Sequence, residues 1–97
     1  MKISAVIITC NEERNIRRCL DSIKDVVDEI VIVDSLSSDA TEMICRDFDV
    51  VFISQKWLGY TDQKNLGIDA ATNDWVLSID ADEELSPQLK QSILKLK

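Results

Sequence analysis

Histidine is absent from this sequence of 97 residues. A catalytic triad or a zinc site that depends on an imidazole is therefore excluded. Glycine and proline are scarce, with two and one residues, while 45% of the residues are hydrophobic. This composition is typical of an ordered globular domain, and a chain of this length can form at most one small domain with a modest core.

Cysteine is also sparse, and the three residues form an odd set without the spacing of a metal site: Cys10, Cys19 and Cys45. Cys19 falls on the apolar face of a predicted helix, where a small buried thiol is expected. A secreted disulfide framework is disfavoured, and a reducing compartment is expected.

Basic residues are too few to balance the acidic ones, since 11 Lys and Arg stand against 18 Asp and Glu for a net charge of −7. Nucleic acid is therefore not expected as a partner, because its binding needs clustered positive charge. An anionic diphosphate would also be repelled unless a metal ion offset the local charge. Long hydrophobic runs are missing, and the first apolar run is too short for a signal peptide or a membrane span.

Four short runs rich in valine and isoleucine predict parallel strands that are covered on both faces. Helical patterns alternate with these runs. The predicted strands are Ile3–Thr9, Glu29–Asp34, Val50–Ser54 and Trp75–Ile79. The predicted helices are Glu13–Lys24, Asp39–Asp47, Thr61–Ala71 and a segment that Ser86 and Pro87 open. Met43 and Ile44 are expected to be buried in the second helix, and Thr61 is expected to cap the third.

The order β-α-β-α-β-α-β-α predicts an α/β fold, a Rossmann-like open parallel sheet of four strands with helices on both faces. With a strand order of 3-2-1-4 the fourth strand is an exposed edge, and we expect self-association through it. The chain ends in an amphipathic helix with nothing after it to cover the far side of the sheet. Residues 1–97 are therefore expected to be the front part of a larger domain.

Two aspartates, Asp80 and Asp82, follow the fourth predicted strand at i, i+2. Hard cations prefer oxygen ligands, and Mg²⁺ or Mn²⁺ commonly bridges one or two carboxylates to the phosphates of a substrate. The pair predicts a divalent metal site and a nucleotide-linked substrate. The alternative is that both are solvated acids at the end of a strand.

Three motifs occur in the order found in the family 2 glycosyltransferases, and the chain resembles that family over nearly its whole length. The motifs are Thr9-Cys10-Asn11-Glu12-Glu13-Arg14-Asn15-Ile16, then Ile32-Val33-Asp34-Ser35-Leu36-Ser37-Ser38-Asp39-Ala40-Thr41, and Asp80-Ala81-Asp82. The resemblance implies an inverting enzyme of the GT-A fold that uses a nucleotide-diphospho-sugar. Residues 1–97 would then be the N-terminal, donor-binding part.

The resemblance also implies roles for individual residues. Thr9, Asn11 and Glu12 are expected beside the nucleotide, and Asp34 is expected to accept a hydrogen bond from the base, typically a uracil N–H. Many relatives carry a second Asp where this chain has Ser35. Lys64 is expected to approach the diphosphate.

The same resemblance places Asp80 at the ribose or a metal-bound water and makes Asp82 a ligand of the Mg²⁺ or Mn²⁺ ion. The general base is expected beyond Lys97, so that residues 1–97 bind the donor without transferring the sugar efficiently.

A finer similarity to bacterial lipopolysaccharide-core glucosyltransferases lies in three stretches: Val33-Asp34-Ser35-Leu36-Ser37-Ser38-Asp39-Ala40-Thr41, Trp57-Leu58-Gly59-Tyr60 and Lys64-Asn65. It implies UDP-glucose as the donor and a saccharide or glycolipid as the acceptor. The implied location is the cytoplasm, at the inner face of the cell membrane, with peripheral membrane contact through sequence beyond Lys97.

Other interpretations remain open beside this one. A phosphoryl-acceptor signalling domain fits poorly, because it needs an acidic pair after the first strand and a lysine after a fifth. A non-catalytic nucleotide-binding or assembly module is the main alternative. At single positions, Asp34 is alternatively a turn residue and Lys64 an exposed helix lysine. Trp57 and Tyr60 flank a groove or form a hydrophobic plug beneath a loop.

Overall fold

The structure, a computed structural model, describes all of residues 1–97 as four strands that alternate with four helices. The strands are β1 (Ile3–Thr9), β2 (Glu29–Asp34), β3 (Val51–Ser54) and β4 (Trp75–Ser78). The helices are α1 (Ile16–Ile23), α2 (Thr41–Cys45), α3 (Tyr60–Ala70) and α4 (Pro87–Leu96). All strand pairs are parallel, which confirms the predicted fold class, and the order is β3-β2-β1-β4, the one for which β4 is expected at an edge.

Strand β1 lies at the centre and fixes the register of the sheet. It pairs with β2 from Ser4 opposite Glu29 to Thr9 opposite Asp34. Residues 3–7 of β1 are all buried, as expected for a central parallel strand covered on both faces. The register brings the carboxyl ends of the two longest strands level, so the loops that follow them start side by side.

Alternate side chains of the strands form two separate cores, since successive residues point to opposite faces of a sheet. The larger core has 13 buried residues, among them Ala5, Ile7 and Ile32 from the sheet and Leu20 from α1. The smaller one consists of Val6, Val31 and Val33, against which part of α3 packs. The predicted helices on both faces are therefore confirmed.

Gly67 sets the distance between α3 and the sheet. A Cβ atom at this position would lie 2.5 Å from Cγ1 of Val6 and 3.1 Å from Cγ2 of Val33. The first distance is far below van der Waals contact, so the helix can come this near only with a hydrogen in place of a side chain.

We expect Gly67→Ala to destabilise the protein. Overpacking costs about 1–3 kcal/mol, whereas alanine in a helix regains only about 1 kcal/mol over glycine. Urea denaturation should show a lower free energy of unfolding. Asn65→Ala, at an exposed position of the same helix, is the matched control and should be neutral or stabilising. An equal gain for both variants would contradict the close contact.

Helix α1 begins later than the sequence pattern predicts. The backbone N–H groups of Asn15 and Ile16 both donate to the carbonyl of Glu12, at 3.0 and 2.9 Å. This turn follows Asn11, whose φ of 54° is left-handed. Residues 12–15 therefore form a turn, and the regular helix starts at Ile16.

Helix α2 is shorter than predicted, and the expected burial of Met43 is wrong. The helix spans five residues, with Thr41 and Cys45 facing inward. Met43 lies between them in the sequence and is 69% exposed, while Ile44 is only partly buried against the core. An i, i+4 pair selects one face of a helix, and Met43 lies on the other.

The predicted cap of α3 is also wrong. The helix begins at Tyr60, and the preceding residue is Gly59, with a φ of 102°. Ser86, by contrast, caps α4 as predicted, because its side chain accepts a hydrogen bond of 3.1 Å from the backbone N–H of Leu89.

Glu29 ties three segments together at the amino ends of the strands. Its carboxylate accepts hydrogen bonds from the hydroxyl of Ser4 at 2.7 Å and from the backbone N–H of Thr72 at 2.8 Å. The Thr72 hydroxyl donates a third, at 3.1 Å. These bonds, the backbone N–H of Thr72 first and the Ser4 hydroxyl next, lower the pKa of Glu29 from its ordinary 4.5.

This lowered pKa predicts acid sensitivity. The stabilisation by Glu29 is complete above the pKa of the unfolded chain, about 4.5, and is lost as the pH falls through the lower folded value. Glu29→Gln should therefore lower the free energy of unfolding at pH 7 and flatten its decline below pH 4.5. Urea denaturation across pH measures both. Asp25→Asn, at an exposed residue, is the control, and parallel curves for wild type and Glu29→Gln would contradict the interpretation.

Strand β4 forms one edge of the sheet, and its outward surface is apolar. Trp75 is 61% exposed. It lines a cavity of about 330 Å³ with six further hydrophobic residues: Met1, Ile3, Val76, Leu77, Ile93 and Leu96. The exposed edge agrees with the predicted order, while self-association through it stays a prediction. None of the four helices has the length and apolar character needed to cross a membrane.

Candidate functional site

The loops at the carboxyl ends of β1 and β4 enclose a cleft of about 270 Å³. Four of the residues singled out in the sequence line it: Thr9, Glu12, Asp80 and Asp82. The remaining lining residues are Ile8, Cys10, Trp57, Tyr60 and Ala81. The predicted convergence of separate loops at one sheet edge is present for these four. Asp34, Asn11 and Lys64 lie outside the cleft lining.

Asp34 lies directly behind the cleft and is 3% exposed. Its Oδ1 accepts hydrogen bonds from the hydroxyls of Thr9 and Ser37, both at 2.6 Å, and its Oδ2 accepts one from the backbone N–H of Ser37 at 2.9 Å. Each carboxylate oxygen has about two acceptor positions, so Oδ1 is saturated and Oδ2 retains one. The side chain is thus a buried hub that links the end of β1 to the loop after β2.

We expect Thr9→Val, which keeps the shape of the side chain, to cost about 1–3 kcal/mol of stability. The variant removes a donor from a buried carboxylate, and an under-satisfied buried acceptor carries that penalty. Chemical denaturation measures the loss. Thr61→Val also deletes a hydroxyl, but at an exposed helix position without a hydrogen-bond partner, and should be nearly neutral. Equal stability of the two variants would contradict the role of Thr9.

The loops after β1 and β2 are braced against each other. The backbone N–H of Asn11 donates to the Ser37 hydroxyl at 2.7 Å, and the Asn11 side-chain oxygen accepts from the backbone N–H of Ser38 at 2.8 Å. The backbone N–H of Glu12 donates to the buried hydroxyl of Thr41 at 2.8 Å. Asn11 therefore braces the loops in this structure, and Glu12 is held so that it lines the cleft.

Alternating burial presents the two aspartates to solvent. Ile79 and Ala81 are buried, whereas Asp80 and Asp82, which follow them in turn, are exposed. Leu85, also buried, anchors the end of the segment. The i, i+2 spacing of the acids thus places both carboxylates on the outer side of one turn, as a metal site requires.

Two hydrogen bonds between Asp80 and Glu83 stabilise the turn formed by residues 80–83, which is called the acidic turn below. The Asp80 backbone N–H donates to the Glu83 carboxylate, and the Glu83 backbone N–H donates to the Asp80 carbonyl, both at 2.9 Å. The Arg18 guanidinium donates to the backbone carbonyl of Asp82 at 3.4 Å. Glu83 had no role assigned from the sequence, and its i, i+3 spacing from Asp80 is the signal that could have indicated the contact between the two residues.

The pKa values of the two buried cysteines, Cys19 and Cys45, are raised. Burial, then the charges of Glu83 and Asp82, raise the pKa of Cys19 to about 12. Burial and the charge of Asp34 raise the pKa of Cys45 to about 11. Both thiols are protonated at neutral pH, and a protonated thiol is neither a nucleophile nor a metal ligand. Both residues, like Cys10, are free cysteines, and the expected burial of Cys19 is confirmed.

Lys64 is linked to Asp80 through Tyr60, one of the two aromatic residues expected beside a groove or in a plug, and it also contacts Ser78, which had no predicted role. Its ammonium donates to the Ser78 hydroxyl at 2.6 Å and to the Tyr60 phenol at 3.2 Å. The phenol in turn donates to Oδ1 of Asp80 at 3.3 Å. The spacings i, i+4 for Tyr60 and Lys64 in a helix, and i, i+2 for Ser78 and Asp80 along a strand, could have indicated this group.

The fold and the cleft define a Rossmann-like domain with a carboxylate pair at the carboxyl edge of its sheet. The sequence profile of the family described as "Glycosyl transferase family 2" matches residues 4–96. The chain therefore belongs to this family.

Curated relatives agree with this assignment. An uncharacterised glycosyltransferase of Rickettsia felis is 48% identical over 92 residues, which cover 95% of this chain and 32% of the relative. The lipopolysaccharide core biosynthesis glycosyltransferase LpsC of Rhizobium meliloti is 34% identical over 101 residues, covering 99% of this chain and 37% of LpsC. The chain thus spans about a third of the length of these relatives.

Solved structures share the fold. A crystal structure of S. aureus TarS 1-349 has a TM-score of 0.81 at 25% identity, and the match covers 99% of this chain and 31% of that TarS chain. Glucosyl-3-phosphoglycerate synthase from Mycobacterium tuberculosis, in complex with Mn²⁺, UDP and glucosyl-3-phosphoglycerate, has a TM-score of 0.75 at 26% identity. That match covers 86% of this chain and 35% of the synthase. The sheet described above is therefore the N-terminal part of a GT-A fold.

Proposed function

We propose that residues 1–97 form the donor-binding part of an inverting glycosyltransferase that uses a UDP-sugar and a divalent metal ion. One observation carries the proposal: Asp80 and Asp82 are presented together into a cleft that Thr9 and Glu12 also line. Membership of family 2 and the UDP bound by the mycobacterial synthase support a nucleotide-sugar as the ligand.

The nucleoside is proposed to lie at the β1 side of the cleft. Thr9 and Glu12 line that side, and Asn11 shapes the loop between them. Asp34 lies behind Thr9 and is buried, so a base N–H would reach the remaining acceptor position of its Oδ2 only after the loop that carries Ser37 moves. A hydrogen bond from the base to a buried carboxylate is charge-assisted and is stronger than one between neutral groups.

The residues of the acidic turn fit a hard divalent cation such as Mg²⁺ or Mn²⁺. The carboxylate of Asp82 accepts no hydrogen bond within the chain, and that of Asp80 accepts one, at Oδ1. No cluster of three or more acidic, cysteine or histidine side chains is positioned to hold a metal. In the proposed complex Asp82, with Asp80 close by, would share the ion with the diphosphate, an arrangement common for Mg²⁺. The ion, when bound, supplies Lewis-acid stabilisation of the departing nucleoside diphosphate.

Transfer itself would follow by attack of an acceptor hydroxyl on the anomeric carbon, from the face opposite the leaving group, with inversion. The attack requires a general base to take the hydroxyl proton. We place this base in sequence beyond Lys97, consistent with relatives that are about three times as long.

Cell-envelope polysaccharide or lipopolysaccharide synthesis is the proposed context. The similarity to LpsC supports a saccharide or glycolipid acceptor, and UDP-glucose is the proposed donor. Action at the cytoplasmic face of the membrane, with peripheral contact through other segments, belongs to the same proposal.

Calorimetry of the full-length protein with UDP tests the proposal. We expect binding with Mn²⁺ that EDTA weakens strongly. Asp82→Asn should lower the Mn²⁺-dependent affinity by about 100-fold or more, because loss of an outer-shell partner alone costs about 10–100-fold. Asp25→Asn removes a charge remote from the cleft and should bind like wild type.

Each part of the proposal can fail separately. Absence of UDP binding with or without metal would overturn the nucleotide assignment. Binding that neither EDTA nor Asp82→Asn affects would overturn the metal assignment. Binding without sugar transfer from any UDP-sugar would favour the alternative of a non-catalytic module.

A further inference from the structure

Tyr60 stands between the positive and the negative side of the proposed donor site. Its phenol oxygen accepts a hydrogen bond from the Lys64 ammonium at 3.2 Å and donates one to Oδ1 of Asp80 at 3.3 Å. The ring lies in the cleft lining and is 54% exposed. A half-exposed ring with both polar contacts made is not the hydrophobic plug that the sequence left as an alternative.

The phenol keeps Lys64 and Asp80 from neutralising each other. A lysine and an aspartate at one end of a cleft would ordinarily form a direct ion pair, yet the five salt bridges of the structure do not include this one. With Tyr60 between them, the two charges are linked through a neutral group. The ammonium stays available for an anion and the carboxylate for a cation.

The hydrogen-bond capacity of Lys64 supports this arrangement. An ammonium has three donor hydrogens, and here Ser78 and Tyr60 accept two of them. The ammonium also lies 4.8 Å from the centroid of the Tyr60 ring, within the range of a cation–π contact. The lysine is thus fixed on two sides, and one donor remains for a phosphate oxygen.

Asp80 is oriented by the same phenol. Its side chain is exposed, and an exposed aspartate rotates about broad side-chain torsions unless a partner holds it. Tyr60 holds Oδ1, whereas no protein group donates a hydrogen bond to Oδ2. The hydrogen bond therefore determines which oxygen faces a ligand.

We infer that Tyr60 is a positioning residue, which spaces and orients Lys64 and Asp80 so that a nucleoside diphosphate and its cation bind together. The inference rests on the proposed function and adds to it a residue that contributes through its neighbours. Deletion of the hydroxyl should let Lys64 pair directly with Asp80 and remove both from the ligand.

The first test compares Tyr60→Phe with wild type in calorimetry of the full-length protein, using UDP with Mg²⁺. We expect an affinity about tenfold lower, the loss typical of one hydrogen bond to a charged group, with an unchanged melting temperature. In a double-mutant cycle, Lys64→Met should weaken binding much less in the Tyr60→Phe background than in wild type. Thr61→Ala, which deletes a neighbouring hydroxyl without a partner, should bind UDP as wild type does.

A second test needs no nucleotide. In protein labelled with ¹³Cζ-tyrosine, the Tyr60 resonance is identified by its absence from Tyr60→Phe. Lys64→Met and Asp80→Asn should each shift this resonance in the ligand-free protein, and Thr61→Ala should leave it in place. A purely structural role of the ring predicts no such shift.

The outcomes distinguish this inference from the proposed function. Metal-dependent UDP binding that Tyr60→Phe leaves unchanged would overturn the positioning role while the donor site stands. A Tyr60 resonance that neither neighbouring variant moves would overturn it as well, whatever the protein binds. If the wild-type protein does not bind UDP, the proposed function is overturned, and so is the assignment of a nucleoside diphosphate as the ligand of Lys64 and Asp80.

Discussion

The buried carboxylate of Asp34 is the interaction on which the site depends. A charge in the interior is tolerated only when hydrogen bonds replace its lost hydration, and here Thr9 and Ser37 supply them. The donors come from β1 and from the loop after β2, so satisfying one charge fixes both loop ends. Asn11 and Glu12 follow Thr9 directly, so fixing Thr9 also restricts where these two residues lie.

The position of Tyr60 at the cleft depends on how closely α3 packs against the face of the sheet that carries Val6 and Val33. Helix α3 approaches β1 and β2 closely because Gly67 has no side chain. Lys64 and Tyr60 lie one and two turns before Gly67 in that helix, so its approach brings them to the end of β4. A bulkier residue at position 67 would displace the helix that carries Lys64, which is linked to Asp80 through Tyr60.

The sequence was sufficient for features that depend on burial in a repeating pattern. Strands β1 and β2 were predictable because they are buried on both faces, whereas the expected two-sided cover is wrong for the edge strands β3 and β4, which are largely exposed. The outward direction of Asp80 and Asp82 follows from their alternation with Ile79 and Ala81. The sequence was not sufficient to predict features that depend on contacts between residues distant in the chain. The burial of Asp34 depends on a partner 25 positions away, Thr9, and no local pattern reveals it. Met43 was misplaced because a helix of only five residues has too little periodicity to show its inner face.

The charge balance of the molecule explains why the arrangement around Tyr60 matters. A chain with a net charge of −7 repels an anionic diphosphate as a whole, so binding requires a local reversal of sign. A divalent cation beside Asp82 would supply two positive charges, and Lys64 would supply a third. A direct ion pair between Lys64 and Asp80 would cancel part of that reversal within the protein. The neutral phenol of Tyr60 prevents this cancellation. It forms a hydrogen bond with each charged group, and both groups stay available to a bound ligand.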